Sequence, residues 1–189
     1  MSLKNSLKDS IKAKKSILNI EDNVYKAINL ISETIKKNQK ILICGNGGSG
    51  ADAQHLATEF LIRLRPNVNR RSFPVISLAQ DATTITACGN DLGFDNIFAR
   101  NLEGLGRSGD TLIAISTSGN SKNILKVLKL SKKLGVNSIS FLGNNGGKAK
   151  KIADIDLIID SNNTARIQES HIFLGHFIFE SVENILIKN

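Results

Sequence analysis

Short apolar segments that alternate with amphipathic segments are the feature that most constrains how this chain folds. Five of these apolar segments predict strands: 40–44, 73–79, 111–116, 137–143 and 156–160. The segments between and after them predict helices over 51–63, 83–88, 94–104, 147–152 and 164–187, and one that ends at Leu134; of these, 164–187 has apolar residues at helical spacing. Parallel strands are buried on both faces and need helical crossovers. The pattern therefore predicts an α/β fold, a five-stranded parallel, doubly wound sheet with helices on both faces.

Two further helices, over 3–18 and 22–38, precede the first strand. We predict that residues 1–38 form an N-terminal helical extension and that residues 39–189 form the α/β domain. The two parts are expected to make one structural unit, because 189 residues suit a single domain with a helical extension.

The net charge of +8 is concentrated near the N-terminus, where residues 1–40 hold nine lysines against four acidic residues. Segments that bind nucleic acid usually interleave aromatic and basic residues. Tyr25 is the only aromatic residue before Phe60. We therefore interpret the charge as a solvated lysine-rich helix face and expect no nucleic-acid partner.

Composition also bears on the compartment. Cys44 and Cys88 are the only cysteines, too few for a disulfide framework, which favours a reduced cytoplasmic setting. No apolar segment approaches the ~20 residues that a membrane span needs, so no membrane partner is expected. The first 16 residues lack the continuous apolar region of a signal peptide.

A glycine-rich turn, Gly45-Asn46-Gly47-Gly48-Ser49-Gly50, follows the first predicted strand. Its spacing formally matches a dinucleotide-binding turn, which also requires an acidic residue about 20 positions later. Residues 69–72 offer none, and no Lys-Ser/Thr pair follows the glycines as in a Walker loop. The turn is better explained by tight backbone geometry, which also lets a ligand approach the main chain.

Hydroxyl groups are concentrated after the third predicted strand, in residues 116–121. The four are Ser116, Thr117, Ser118 and Ser121, and they precede a helix. Capping a helix requires a single side chain. Free N–H groups at a helix N-terminus bind anions, so the surplus of hydroxyls predicts a phosphate site.

Two helices carry the candidate groups for catalysis or metal binding. His55 and Glu59 are four residues apart and share one helix face, where they can hold a divalent metal, act as acid and base, or form a surface pair without a role. The last helix adds Gln168, Glu169, His171 and His176. It is apolar on more than one face, which predicts burial, with a subunit interface as one possible location.

Taken together, these motifs are similar to one family. The glycine turn, His55-x-x-x-Glu59, Asn90-Asp91, residues 116–121 and the segment from Thr164 to His176 resemble the sugar isomerase (SIS) family and, within it, the phosphoheptose isomerases. The resemblance implies a flavodoxin-like SIS fold and conversion of sedoheptulose 7-phosphate to D-glycero-D-manno-heptose 7-phosphate through an enediol. This reaction is the first step towards ADP- or GDP-heptose for lipopolysaccharide core or capsule. The resemblance also implies a cytoplasmic homotetramer with one zinc ion per subunit.

By motif match, the resemblance also implies individual roles. Glu59 and His176 are the expected catalytic acid/base pair. The expected zinc ligands are His55, Glu59, Gln168 and His176. The expected substrate-binding residues are Asn46, Gly47, Gly48, Ser49, Asn90, Asp91, Ser116, Thr117, Ser118, Ser121 and Gln168.

The implied zinc site contains a tension, because a carboxylate bound to zinc is a weaker base and Gln is an uncommon zinc ligand. The two roles are compatible if the zinc site is labile and Glu59 dissociates from the ion when the substrate binds. Gln168 and His176 are also about 12 Å apart along a helix. This separation suggests the hypothesis that the site is completed across a subunit boundary.

Two alternatives remain open within the same fold. One is a catalytically silent SIS protein that binds a replication-initiation partner, and the other is a sensor of another sugar phosphate. A scaffold has no chemical need for a paired base and acid. The presence of both Glu59 and His176 therefore favours the isomerase.

Overall fold

The computed structural model describes residues 2–187 as a five-stranded sheet flanked by seven helices. The strands are β1 (Ile41–Gly45), β2 (Val75–Ser77), β3 (Thr111–Ser116), β4 (Asn137–Gly143) and β5 (Ile155–Ile159). The helices are α1 (Leu3–Lys15), α2 (Glu21–Lys36), α3 (Gly48–Leu61), α4 (Ala82–Asp91), α5 (Ile97–Leu105), α6 (Lys122–Leu134) and α7 (Thr164–Ile187). Short 3-10 turns cover Ser16–Ile20, Phe94–Asn96 and Gly147–Ala149. All five predicted strands are present, although β2 is shorter than its predicted segment.

The sheet is parallel throughout and has the strand order β2-β1-β3-β4-β5. Ile43 of β1 pairs with Ser77 on one side and with Ile113 on the other. This order is the flavodoxin-like form of the doubly wound sheet. The predicted fold class is confirmed.

Alternate residues of the central strands face two separate apolar layers. Ile41, Ile43, Ile113 and Phe141 belong to the layer that packs against α1, α2, α3 and α7. Leu42 and its neighbours on the opposite face pack against α4, α5 and α6. Because both faces are covered, the central strands read as continuous apolar segments in the sequence.

The N-terminal helices share the core of the sheet. Ala13 and Ile31 lie in the same apolar layer as Ile41, and Ser10 Oγ donates to Glu169 Oε2 of α7 at 2.9 Å. The division of the chain at residue 38 stays a prediction. Within residues 2–187, no helix combines the length and apolarity needed to cross a membrane.

The strand order determines where a crevice opens at the edge of the sheet. From β1 the chain passes to β2 on one side of it, whereas β3, on the other side of β1, continues to β4. The loops after β1 and β3 therefore separate and leave a crevice at their carboxyl ends, the usual ligand site of such sheets. The glycine turn and the hydroxyl-rich loop both lie at this crevice.

Candidate active site

The glycine turn between β1 and α3 brings the backbone close to α7. Gly47 has a φ of 52°, a conformation that favours glycine, and Gly50 and Ala51 donate their N–H groups to its carbonyl at 2.9 and 3.0 Å. α3 therefore begins at Gly48, three residues before the predicted start. A β-carbon added to Gly48 would lie 2.1 Å from Nε2 of Gln168. Glycine at this position is what allows Gln168 to approach the turn.

A reciprocal pair of amides links the turn to the first turn of α6. Asn46 Nδ2 donates to Asn123 Oδ1 at 2.9 Å, and Asn123 Nδ2 donates to Asn46 Oδ1 at 2.8 Å. The pair joins the loops after β1 and β3 across the crevice. Sequence reasoning did not single out Asn123. Its position two residues after the hydroxyl-rich loop is the feature of the sequence that could have identified it.

The hydroxyl-rich loop after β3 is held mainly by its own polar groups. Ser116 Oγ accepts from the Gly119 N–H at 3.1 Å and lies 3.5 Å from Ser121 Oγ. Ser121 stands at the N-cap of α6, yet its hydroxyl makes no capping hydrogen bond. Thr117 is half-buried and Ser118 is exposed beside them. Hydroxyls in excess of capping therefore surround a helix N-terminus, the arrangement that suits a phosphate.

His55, Glu59 and His176 form one cluster, which we call the His/Glu/His cluster. His55 Nε2 lies 2.9 Å from His176 Nε2 and 3.4 Å from Glu59 Oε1. One potential ligand atom from each residue lies within 4.8 Å of the other two. The two histidine rings meet edge-on, with centroids 5.1 Å apart. The tertiary structure thus brings His55 of α3 into contact with His176 of α7, although the two residues are 121 positions apart in the sequence.

The donor set of this cluster fits a zinc ion. Imidazole nitrogens and carboxylate oxygens are common zinc ligands, and two nitrogens bound to one tetrahedral zinc ion are about 3.3 Å apart. The 2.9 Å separation of the two ring nitrogens is close to that value. The three residues need only small side-chain movements to bind one ion.

Asp52 and Gln168 lie beside the cluster and line a cavity together. Burial raises the pKa of the Asp52 carboxyl above its ordinary value, while the nearby His55 and Gln168 act in the opposite direction. Sequence reasoning passed over Asp52, which stands one helical turn before His55 on the same side of α3.

The remaining predicted candidates lie in different surroundings. Asn90 and Asp91 are exposed at the end of α4, where Asn90 Nδ2 donates to Asp91 Oδ1 at 2.8 Å. Ser49 is buried in the first turn of α3. His171 is buried, its Nε2 bonds to the Leu142 carbonyl at 3.0 Å, and burial lowers its pKa to about 4. Glu169 pairs with Arg166 at 2.6 Å.

A buried ion pair between Arg70 and Glu183 holds the C-terminal end of α3, which carries Glu59, against α7. Arg70 donates to the carbonyls of Glu59 and Phe60 at 2.8 and 2.9 Å and to Glu183 of α7 at 2.5 Å. Its side chain is 3% exposed, so this arginine serves the packing of α3 against α7. Arg65 forms a second ion pair with Glu183 at 2.6 Å.

Comparison with known proteins places this chain in a family. The SIS domain family matches residues 7–143 of the chain. The phosphoheptose isomerase of Campylobacter concisus is 45% identical over 181 residues, which cover 96% of this chain and 95% of that protein. The solved phosphoheptose isomerase of Francisella tularensis superimposes with a TM-score of 0.91 and 33% identity, over 96% of each chain. The solved phosphoheptose isomerase of Neisseria gonorrhoeae superimposes with a TM-score of 0.88 and 35% identity, over 96% of this chain and 97% of that chain.

Each of these relatives spans nearly the whole chain at more than 30% identity. The chain therefore belongs to the SIS domain family and, within it, to the phosphoheptose isomerases. The family predicted from the motifs is confirmed.

Proposed function

We propose that the protein isomerises sedoheptulose 7-phosphate to D-glycero-D-manno-heptose 7-phosphate. The observation that carries the proposal is the meeting of a carboxylate, Glu59, with the imidazoles of His55 and His176 between helices α3 and α7. The reaction needs a base and an acid, which the cluster is proposed to supply, and a phosphate anchor, which the hydroxyl-rich loop is proposed to supply. The product is the first intermediate towards ADP- or GDP-heptose for lipopolysaccharide core or capsule.

The reaction moves a carbonyl group from C2 to C1 of the sugar. A base removes a proton from C1, an enediol forms, and a proton returns to C2 while a hydroxyl proton passes from O1 to O2. Glu59 and His176 are the two groups that move these protons, because a carboxylate and an imidazole in reach of one substrate act as base and acid. The side chain of Glu59 is 17% exposed, so little bulk water competes with the substrate there.

The phosphate end of the substrate is anchored at the hydroxyl-rich loop. Ser116, Thr117, Ser118 and Ser121 offer hydroxyl groups beside the N-terminus of α6, and Ser49 lies in the turn across the crevice. Gly47, Gly48, Asn90 and Asp91 are proposed to contact the sugar chain. Asn46 is proposed to contact the sugar chain as well, and its pair with Asn123 holds the two loops together.

Zinc is the proposed cofactor, one ion per subunit, held by His55, Glu59, Gln168 and His176. When bound, the ion supplies positive charge near the substrate oxygens, on which negative charge develops. Glu59 would have to be free of the ion to act as the base, so the site is expected to be labile.

The active form is proposed to be a cytoplasmic homotetramer. Large apolar side chains are exposed along α1, the 3-10 turn that follows it, α2 and α7: Leu7, Ile11, Leu18, Tyr25, Phe173 and Phe177. Several of them line an apolar groove of about 140 Å³ between α7 and the N-terminal helices. Such a surface suits an interface between copies of the chain. A site completed by a neighbouring subunit would then make the tetramer necessary for activity.

The buried free thiols of Cys44 and Cys88 agree with a reduced compartment.

The deciding experiment measures conversion of sedoheptulose 7-phosphate by the purified protein, with and without added zinc. Glu59→Gln and His176→Ala are expected to lose about 10²- to 10⁴-fold in kcat, the usual contribution of an acid or base. Both variants should keep the circular dichroism spectrum of the wild type. An inert wild type would contradict the proposal. Capture of a partner protein without turnover, or selective binding of a hexose phosphate, would then indicate the silent scaffold or the sensor.

A further inference from the structure

Asp52 is an acidic residue within the site that has no role in the reaction described above. It lies on α3 four residues after Gly48 and three before His55, so the three positions share one face of the helix. Its Oδ2 atom is buried and has no hydrogen-bond partner among residues 2–187. A carboxylate oxygen shielded from water is costly unless a donor reaches it. The position therefore indicates that a donor meets Asp52 in the working site.

The side-chain amide of Gln168 is the donor that the structure places within reach. Gln168 and Asp52 line the same cavity, of about 340 Å³. The amide lies against Gly48, where an added β-carbon would be 2.1 Å from Nε2 and 2.7 Å from Oε1. Burial raises the pKa of the Asp52 carboxyl, and the proximity of the amide already acts to lower it. Rotation about the last torsion of Gln168 can turn either amide atom towards the carboxyl, because terminal amide torsions are broad.

The chemistry of the two groups decides which way the amide faces. An ionised carboxylate only accepts hydrogen bonds, and an amide donates only from its nitrogen. Contact with Asp52 therefore selects the orientation with Nε2 towards the carboxylate and Oε1 away from it. Only Oε1 has a lone pair available for a metal ion, so an amide turned the other way is not a ligand.

We propose that Asp52 is a positioning residue that sets the orientation of the Gln168 amide, with Oε1 facing the His/Glu/His cluster. The use of Oε1 as a zinc ligand rests on the proposed function, whereas the orientation itself does not. Partners of this kind, which orient a metal ligand from behind, typically change metal affinity by about 10- to 100-fold when they are removed.

The first test measures zinc affinity, with Zn²⁺ titrated in competition with a chromophoric chelator. Asp52→Asn keeps the shape of the side chain but presents both a donor and an acceptor, so it no longer selects one orientation. We expect zinc affinity to fall about 10- to 100-fold. The matched control is Glu169→Gln, which removes a carboxylate from the same cavity wall. Glu169 is engaged with Arg166 and Ser10, and this control should keep the wild-type affinity.

A second test needs neither metal nor turnover. In the zinc-free protein, the Nε2 protons of Gln168 are observed by nuclear magnetic resonance and assigned by their loss in Gln168→Glu. In the wild type, the hydrogen bond to the carboxylate should change the chemical shift of one of these protons. In Asp52→Asn that change in chemical shift should be lost. The double variant Asp52→Asn with Gln168→Glu restores an amide facing a carboxylate. It should therefore unfold at a higher urea concentration than Gln168→Glu alone.

These readouts separate the inference from the proposed function. A wild type that shows the shifted Gln168 proton but does not isomerise the sugar would contradict the function and leave the positioning role standing. Unchanged Gln168 signals in Asp52→Asn would overturn the positioning role. A double variant no more stable than Gln168→Glu would do so as well, whatever the activity.

Discussion

Gly175 of α7 lies so close to Leu56 of α3 that a β-carbon on the glycine would be 2.7 Å from both methyl groups of that leucine. His176 follows Gly175 in the chain, and His55 precedes Leu56. The close approach of the two helices is therefore what allows the two ring nitrogens to meet at 2.9 Å. A residue without a side chain thus determines the geometry of the His/Glu/His cluster.

The first prediction follows from this contact. Gly175→Ala inserts a methyl group against Leu56, whose side chain is fully buried. Overpacking of this kind destabilises by about 1–3 kcal/mol. A shift of about 1 Å in the separation of α3 and α7 would also lower kcat by about 10²-fold. Urea unfolding and steady-state kinetics measure the two effects.

Gly104→Ala is the matched control for this change. Gly104 also lies in a helix, but a β-carbon there meets no atom within 4 Å. Alanine should stabilise the helix by up to about 1 kcal/mol and leave kcat unchanged. Equal effects of the two substitutions would show that the contact with Leu56 does not set the site geometry.

The second prediction concerns the buried pair of Arg70 and Glu183, whose side chains are 3% and 1% exposed. Glu183→Gln removes the charge that balances Arg70 and leaves an uncompensated cation in the core. We expect a loss of about 3–5 kcal/mol in the free energy of unfolding. For comparison, Glu103→Gln breaks an exposed pair with Arg100 and should cost less than about 1 kcal/mol. Comparable losses in the two variants would contradict the role assigned to Arg70.

The third prediction concerns the pH dependence of stability. Burial lowers the pKa of His171 to about 4 from its ordinary value of 6.5, so the folded protein resists protonation that the unfolded chain accepts. The stability contributed by the neutral ring is fully present above pH 6.5 and is lost as the pH falls towards 4. The loss reaches about 3 kcal/mol at most.

The variant that checks this is His171→Gln, whose amide nitrogen can still donate to the Leu142 carbonyl. Between pH 6.5 and pH 4 its free energy of unfolding should fall less steeply than that of the wild type. Urea unfolding at several pH values measures both slopes. Parallel curves would mean that His171 does not titrate in this way.

The fourth prediction tests the proposed tetramer. Phe173 and Phe177 are 47% and 38% exposed on α7, beside the apolar groove. Phe173→Asp combined with Phe177→Asp puts charge on that surface and should yield smaller species with lost activity, measured by light scattering and the isomerase assay. Leu105→Asp, at an exposed apolar position on α5, is the control and should leave the tetramer intact. A fully active monomer would refute the idea that subunits share the site.

Much of the site was predictable because its parts are local. His55 and Glu59 share a face through the helical repeat alone, and their contact of 3.4 Å follows from a spacing of four residues. The hydroxyl-rich loop was predictable for a similar reason, since it comes directly after a buried strand and before a helix. Asn123 and Asp52 were missed because an amide or a carboxylate on a helix has many ordinary uses in a sequence.

The sequence by itself determined the strands, the helices and the class of sheet, because apolar periodicity reports which backbone segments are buried on one face or on two. Tertiary structure decided which helix faces meet. The approach of His176 to His55, of Gln168 to Gly48 and of Arg70 to Glu183 each depends on the packing of α7 against α3. Such contacts arise from side-chain volume and close packing between distant segments, which no local period encodes.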